Sequence, residues 1–587
     1  MAPRPHTARR AIVIAVSIVL ASIVLLVVWV GVRSLVAASA LREAESLSGK
    51  AQDALIAGDT GSASASFDEL VERTSEAASL TSDPVFRLAE AVPGVGPNLT
   101  AFRQAAGAVD DLARGLAPLA DIAGSLSADA LAPVDGRVDI DKLAQIAPSL
   151  ADAEGTIAGV RDDLRSIDTT QTVDQIVSAV DRLTTVTDDL STAVTALSRA
   201  SQLLPKMLGA EGDRRYLLIF QNNAEVRASG GIPGALALLN TSDGRFEMTT
   251  QSVAAAFPYF PAPVLPVDFE TESLYSSEVG RRMQNVNLTP DFPASAAFAA
   301  EMWRQKFGDT VDGVISVDPV LLSYFLKATG PVQLAVGGEL TADNAVTFLL
   351  SDVYREFPDN ASQDAVFASV AREVFGALSS GEVDLPILLA QLERGSGERR
   401  FLVWNARPDE QGLVSGSDFS GELPNTNTGA TVLGVFLNDA TGAKLDYYLD
   451  ATTDLAAGEC DGRPQYRVDV TLSSSAPLDA ATTLSPTVLG QGVSGVPLGT
   501  IRTRVSVYGP VGSVLMSAKI DGQPTEVQSA LHLDRPVGQV IVDLAPGQSK
   551  TVTVEMNGAA TPSSAVVLRV TPLLREFRGA TMAFNCR

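Results

Sequence analysis

Twenty-two consecutive residues, Ala11 to Val32, carry no charge. A helix of that length, at about 1.5 Å per residue, crosses the roughly 30 Å hydrocarbon core of a bilayer. Arg4, Arg9 and Arg10 flank it on the N-terminal side, which predicts a cytoplasmic tail at 1–10, an anchor at 11–32 and an extracytoplasmic bulk at 34–587. Arg33, on the far side, works against that orientation. The competing reading is a cleaved signal peptide ending at Ala38-Ser39-Ala40, but its apolar region is unusually long and Arg33 lies between that region and the cleavage site. From 36 to 205 the chain is rich in Ala, Leu, Asp and Ser, with breaks near Gly58–Gly61, Pro84, Val92-Pro93-Gly94 and Pro133–Gly136. Val173, Ile176, Val180, Leu183, Leu190, Val194 and Leu197 recur at three- and four-residue spacing, with Thr187 in the one gap. This predicts a helical seam and a bundle-like stalk, either packed within the chain or, less simply, paired between chains.

At Tyr216 the period changes. Tyr216–Gln221 and Ala235–Asn240 alternate as strands around a polar, glycine-containing turn at 222–231, and Asp243-Gly244 marks a hairpin. A proline-rich loop follows at 257–266. Helices are predicted at Pro293–Phe307, Pro319–Thr329, from Thr341 as N-cap, and at Gln363–Ser379. They alternate with strands at Val311–Val317, Pro331–Val336, Arg400–Asn405 and Thr431–Leu437, which makes 212–445 an α/β core domain. Beyond 445 the helical period disappears. Tyr466–Ser473, Thr500–Tyr508, Gln539–Leu544, Lys550–Met556 and Ala565–Thr571 predict a β-sandwich at 446–587. The whole is multidomain: a transmembrane helix, a helical stalk, an α/β core and a C-terminal β-sandwich.

A formal net charge of −25, from 69 acidic against 44 basic residues, repels nucleic acid and bare anionic membrane surfaces. With only His6 and His532 in the chain, a His-based triad or a His-rich zinc site is excluded. Gly-x-Ser-x-Gly, Gly-x-x-x-x-Gly-Lys-Ser/Thr and Cys-x-x-Cys are absent from the sequence. The two cysteines, Cys460 and Cys586, suggest one disulfide in an oxidising compartment, with two unpaired buried thiols as the alternative.

The 222–231 turn holds the best candidate chemistry. Arg227 can bind phosphate bidentately, Gly230 and Gly231 can open backbone amides to an anion, and Glu225 can hold a divalent cation through oxygen. Asn222, Asn223 and Ser229 supply further ligand-binding groups. A second cluster, Asp352, Tyr354, Arg355, Glu356 and Asp359, sits at a helix end that the fold could bring to the first. The bland alternative is a structural turn with Arg227 and Glu225 paired on the surface.

Several stretches carry a resemblance: Tyr216-Leu-Leu-Ile-Phe-Gln-Asn-Asn-Ala-Glu-Val-Arg-Ala-Ser-Gly-Gly-Ile-Pro-Gly234, Pro290-Asp-Phe-Pro-Ala-Ser, Val311-Asp-Gly-Val-Ile-Ser-Val-Asp-Pro319, Ala328-Thr-Gly-Pro-Val332 and Leu437-Asn-Asp-Ala-Thr-Gly442. Over roughly 80–450 they resemble the bacterial envelope family catalogued as domain of unknown function four thousand and twelve, a label without an activity. More distantly, Val311–Val332 followed by Leu340-Thr-Ala-Asp-Asn-Ala345 resembles the LytR-CpsA-Psr phosphotransferases. Those enzymes transfer glycopolymers from a polyprenyl pyrophosphate carrier to the cell wall, with arginines, aspartates and a magnesium ion at the pyrophosphate.

That resemblance implies a site of Arg227, Glu225 and Arg355 as catalytic groups, with Asn222, Asn223, Ser229, Gly230, Gly231, Asp352 and Asp359 binding ligand. It implies a lipid-linked glycan or cell-wall polymer as partner, and magnesium as cofactor. The chain departs from the pattern at Asn222 and Asn223, where an acid is expected, at Gly230 and Gly231, which replace part of an Arg-Ser-Asp signature, and at Ala365–Ala371, which lacks an Arg-Gln pair. Two expectations follow: a glycopolymer-binding envelope protein, active as a transferase or an inactive relative of one, or a non-catalytic scaffold.

Overall fold

The computed structural model describes residues 5–56, 59–122, 134, 136–379, 383–490, 492, 494–558, 565–584 and 586, with side chains of the first helix described from Val24 to Ala54. Residues 1–4 of the expected tail, Gly58 of the first expected break and Pro133 of the last lie outside the described residues. Two compact units divide the chain: 1–131 with 139–205, and 132–138 with 206–587.

The first unit is helical. Helix α1 (Pro5–Ile56) contains the uncharged stretch and continues through it without a break. Among the described residues it is the one helix long and apolar enough to cross a membrane. It is followed by α2 (Thr60–Thr81), α3 (Pro84–Ala89), α4 (Gly96–Ile122), α5 (Ile140–Arg165) and α6 (Asp174–Met207). Aspartates open several of them: Asp59, Asp83 and Asp139 each accept a backbone N–H of the first turn, satisfying donors that the helix itself leaves unpaired. Small residues bring the helices close. Ala37, Ala40 and Ala77 join α1 to α2, and Ala101, Ala105 and Ala108 of α4 meet Val160 and Leu164 of α5 and Val180 of α6. The predicted seam is therefore covered within the chain at its centre, where Val180, Thr187 and Val194 are buried, while Val173 and Leu197 at its ends are about half exposed.

The second unit begins with a five-stranded sheet in the order β3-β2-β1-β4-β7. Its strands are β1 (Arg214–Arg227), β2 (Gly230–Ser242), β3 (Arg245–Val253), β4 (Gly313–Val317) and β7 (Leu402–Asn405), with β5 (Val332–Gln333) and β6 (Glu339–Leu340) pairing apart as a small ribbon. Within this sheet β1 and β4 pair in parallel, and β1–β2, β2–β3 and β4–β7 pair antiparallel. The Asp243-Gly244 turn has positive φ at both positions, as the hairpin requires. Helices α7 (Phe269–Tyr275) and α8 (Phe292–Phe307) belong to one core with Leu217, Ile219, Leu236, Val314 and Trp303. Then come α9 (Pro319–Thr329), α10 (Ala345–Thr347), a π-helical turn (Phe348–Asp352), α11 (Val353–Glu356), α12 (Asn360–Ser379) and α13 (Leu385–Gly397). Thr341 and Asn344 cap the α10 entry reciprocally, side chain to backbone N–H.

Two further sheets share one apolar core. The first has the order β14-β15-β11-β8-β17: β14 (Gln528–His532), β15 (Arg535–Leu544), β11 (Ile501–Tyr508), β8 (Thr431–Asp439) and β17 (Val566–Val570). The second has the order β13-β12-β16-β10-β9-β18: β13 (Gln523–Pro524), β12 (Val514–Ile520), β16 (Ser549–Asn557), β10 (Arg463–Ser474), β9 (Leu449–Cys460) and β18 (Arg578–Ala583). Alternate residues of β10, β11, β15 and β16 meet in that core. Cys460 and Cys586 form a disulfide with Cα atoms 5.7 Å apart.

Three strand expectations change. Pro331–Val336, expected to alternate with the helices, is strand only at Val332–Gln333, in the separate ribbon. Thr431–Leu437, expected in the α/β sheet, lies instead between β11 and β17. The polar turn at 222–231 is mostly strand: β1 runs on to Arg227 and β2 starts at Gly230. The reason is tertiary. Residues of the later sheets satisfy the polar groups of this segment, and Val226 enters their core.

Candidate functional site

At about 3.4 Å per residue, the fourteen residues of β1 span roughly 45 Å, long enough to leave one sheet and enter the next core. Register shifts occur between Phe220 and Gln221 and between Asn222 and Val226, where the strand pulls away from β2 and its polar side chains find other partners. Asn223 is fully buried. Its Nδ2 donates to Asp318 Oδ2 and to the Pro572 carbonyl, each at 3.1 Å. Asp318 caps α9 through the Leu321 N–H at 2.8 Å and pairs with buried Arg400 at 2.7 Å. Arg400 in turn binds Glu398 at 2.5 Å and the Leu573 carbonyl at 2.7 Å.

Glu225 and Arg227 pair at 2.9 Å with both side chains buried, so they are partnered as the bland reading had it, but inside the protein instead of at its surface. Lys444 lies 3.7 Å from the other Glu225 oxygen. Asp446 accepts the Val226 N–H at 2.8 Å, Asp439 accepts the Gly442 N–H at 2.6 Å, and Asn438 accepts the Ala228 N–H at 3.0 Å. Burial, then the Asp439 charge, pushes the Asp446 carboxyl well above its ordinary range, and burial followed by Glu225 raises Asp439. The Tyr216–Gly234 and Leu437–Gly442 stretches therefore meet in one buried network, three carboxyl groups facing one guanidinium and one ammonium.

The glycines serve close approach. A Cβ on Gly231 would stand 2.1 Å from the Asn222 carbonyl carbon, and one on Gly230 would stand 1.6 Å from Gln221 Oε1. The Gly231 N–H, offered above to an anion, donates to Gln221 Oε1 at 2.7 Å. Ser229 is buried beside them.

The second cluster stands apart. Arg355 is exposed and pairs with Asp352 at 2.9 Å and Glu356 at 3.5 Å, and Asp359 caps α12 through the Ser362 N–H at 2.9 Å. The link between clusters is Tyr354, whose hydroxyl accepts a hydrogen bond from Asn222 Nδ2 and whose ring lies 5.2 Å from Lys444 Nζ.

Beside Asn222 an apolar pocket of about 50 Å³ opens between β1, β2 and the helices, walled by Phe220, Leu322, Leu349, Leu350, Phe367 and Val370, with Gln221, Asn222 and Asp318 as polar lining. Glu225, Arg227 and Arg355 do not line it. A wider hollow of about 350 Å³ lies at Pro263–Val267. The carboxylates do not fit magnesium. Glu225 is held by two cations, Asp352 by Arg355 and Asp359 by backbone, and no group of three or more acidic, His or Cys side chains among the described residues is placed to hold a metal.

Sequence reasoning missed Asp318, Arg400, Asp439, Lys444 and Asp446. The signal is present in part: the Val311–Pro319 and Leu437–Gly442 stretches that carry the resemblance contain Asp318 and Asp439, but nothing local in the sequence joins them to the 222–231 segment. No curated protein and no solved structure matches the chain significantly. Residues 211–354, from the start of β1 through Tyr354, match the family described as Protein of unknown function (DUF4012).

Proposed function

We propose that this is a single-pass, extracytoplasmic cell-envelope protein whose α/β domain is related to the glycopolymer transferases and holds the apolar chain of a lipid-linked glycan without transferring the glycan. The C-terminal pair of sheets is read as a β-sandwich that braces this domain. One observation carries the proposal: an apolar pocket has only Gln221, Asn222 and Asp318 as polar lining, while Arg227, Arg355 and Arg400 are each committed to carboxylates. Transfer from a pyrophosphate needs cations and metal ligands aimed at the developing charge; Arg227 and Arg400 are instead held by carboxylates inside the protein, and the exposed Arg355 does not line the pocket. Apolar walls with a polar rim suit a lipid chain, as they do small-molecule ligands generally, and at about 50 Å³ this pocket has room for one end of such a chain.

Filling the pocket, which Ala371 also lines, tests this. Ala371→Trp in the full chain, purified in detergent, should abolish binding of a fluorescent polyprenyl phosphate measured by anisotropy, whereas Arg355→Ala should leave it intact. Unchanged binding in a folded Ala371→Trp protein overturns the reading. Scaffold function is the second reading, favoured by the density of the buried charge network, and it gains if neither the wild type nor the variants bind the probe.

A further inference from the structure

The helical unit carries a short elbow, α3 and the turn after it, that packs on α1 at an unexpected height. Phe86, with none of its surface exposed, and Ala89 cluster with Val30 and Leu26 of α1 and with Leu99 and Phe102 of α4. Leu26 and Val30 belong to the uncharged stretch that ends at Val32, so at 1.5 Å per residue the elbow seats about 3–9 Å inside the end of that stretch. Arg33 fixes the height: it pairs with Asp83 at 2.7 Å, donates to the Leu80 carbonyl at 3.2 Å and stacks over Trp29 at 4.8 Å. Trp and Arg at the end of an apolar span mark the boundary between hydrocarbon and headgroups.

The elbow is also built to keep its shape. Asp83 accepts the Val85 and Phe86 N–H groups, Arg103 clasps Glu90 at 2.6 Å, and the chain closes so tightly that a Cβ on Gly96 would stand 1.9 Å from the Glu90 carbonyl oxygen. What it holds outward is apolar. Leu88 is 70 % exposed, Val95 53 % and Val92 44 %, and from Leu88 to Gly96 the only charged residue, Glu90, is turned to Arg103. Leu25, Val27 and Val28 of α1 are exposed in the same way, and on the anchor reading lipid covers them.

We propose that this elbow is a second membrane contact, in which Leu88, Val92 and Val95 insert into the headgroup and upper acyl region of the leaflet from which α1 emerges. The occupant is a lipid bilayer, because the elbow that carries the tip packs through Phe86 and Ala89 on Leu26 and Val30 of the apolar span itself. The inference rests on α1 being membrane-embedded, and goes beyond it by adding a rigid foot that fixes the tilt and rotation of the helical unit on the membrane.

Single cysteines test it in the full chain, where Cys460 and Cys586 are already bonded to each other. Val92→Cys, Leu25→Cys and Lys50→Cys each receive an environment-sensitive fluorophore, and the protein is reconstituted into phosphatidylcholine–phosphatidylglycerol vesicles. Some vesicles carry a nitroxide near the headgroup end of the acyl chain. Position 50 lies about 30 Å along α1 from Val30 and reports the water side. The label at 92 should be quenched by the nitroxide lipid and shielded from iodide, as at 25, while the label at 50 shows the reverse. Iodide quenching at 92 equal to that at 50, with 25 still quenched by lipid, overturns the foot and leaves the anchor standing. Loss of lipid quenching at both 25 and 92 overturns the foot together with the anchor on which it rests.

Discussion

His532 is buried at the end of β14, its Nδ1 2.9 Å from the Tyr508 hydroxyl and its Nε2 3.1 Å from Thr271 Oγ1, with Tyr508 2.6 Å from Tyr275. Burial lowers its pKa from 6.5 to about 4, partly countered by Asp268. The folded protein thus keeps the ring neutral where the unfolded chain protonates it. Its contribution is full above about pH 6.5 and is lost as pH falls towards 4, in total about 3 kcal/mol. His532→Gln should remove this part of the pH dependence: the difference in urea midpoint between wild type and variant should change between pH 7 and pH 4, and parallel curves would refute it. The Glu225–Arg227 pair makes a second prediction. Arg227→Ala leaves Glu225 and two neighbouring carboxyl groups with Lys444 alone, and should cost about 3–5 kcal/mol in chemical denaturation. The Glu225→Ala/Arg227→Ala double variant should recover part of that. A single variant within about 0.5 kcal/mol of wild type would show the pair to be an ordinary surface contact. The residue types of this site were legible in the sequence, but their burial was not, because the groups that enclose them arrive some two hundred residues later, at Asn438 and Asp446.

Elements with their own periodicity were read well: α8, α9, α12, β4 and β16 fall within a few residues of expectation, since helix and strand periods are local signals. Sheet membership is not local. β8 looks like a neighbour of β7 and pairs with β11 and β17 instead, and the turn at Pro546-Gly547 carries the chain from β15 in one sheet to β16 in the other. The β1–β2 crossing shows the same limit. It reads as a flexible glycine turn, yet at Gly231 a side chain would meet the Asn222 and Asn223 backbone at 2.1–2.4 Å, whereas at Gly234 the nearest atom is the Phe220 carbonyl oxygen at 3.7 Å. Gly231→Ala should therefore destabilise by about 1–3 kcal/mol and weaken the Asn222–Tyr354 contact, while Gly234→Ala should fall within about 1 kcal/mol of wild type. Thermal melts of the two variants check this, and equal melting temperatures would remove close packing as the reason for the glycine at 231.

At the scale of the molecule, the disulfide is confined to one of the two compact units. It closes a loop between residues 126 apart in sequence and holds β18, whose six residues are all exposed, alongside β9. Loop-closure entropy for a ring of that size sets a ceiling of about 5 kcal/mol on its stabilisation. The realised value should be smaller, because an edge strand with one paired side can fray without unfolding the core beneath it. The helical unit holds itself together with alanine-lined contacts among α1, α2, α4, α5 and α6 that include neither cysteine. Reduction should therefore act on one unit only. Calorimetry of the full chain in detergent should give two transitions, and dithiothreitol or Cys460→Ser should lower one of them while the other, tracked by helical circular dichroism, stays in place. If both transitions move together, the helices and the sheets unfold as one cooperative body, and the division into two units describes their contacts but not their energetics.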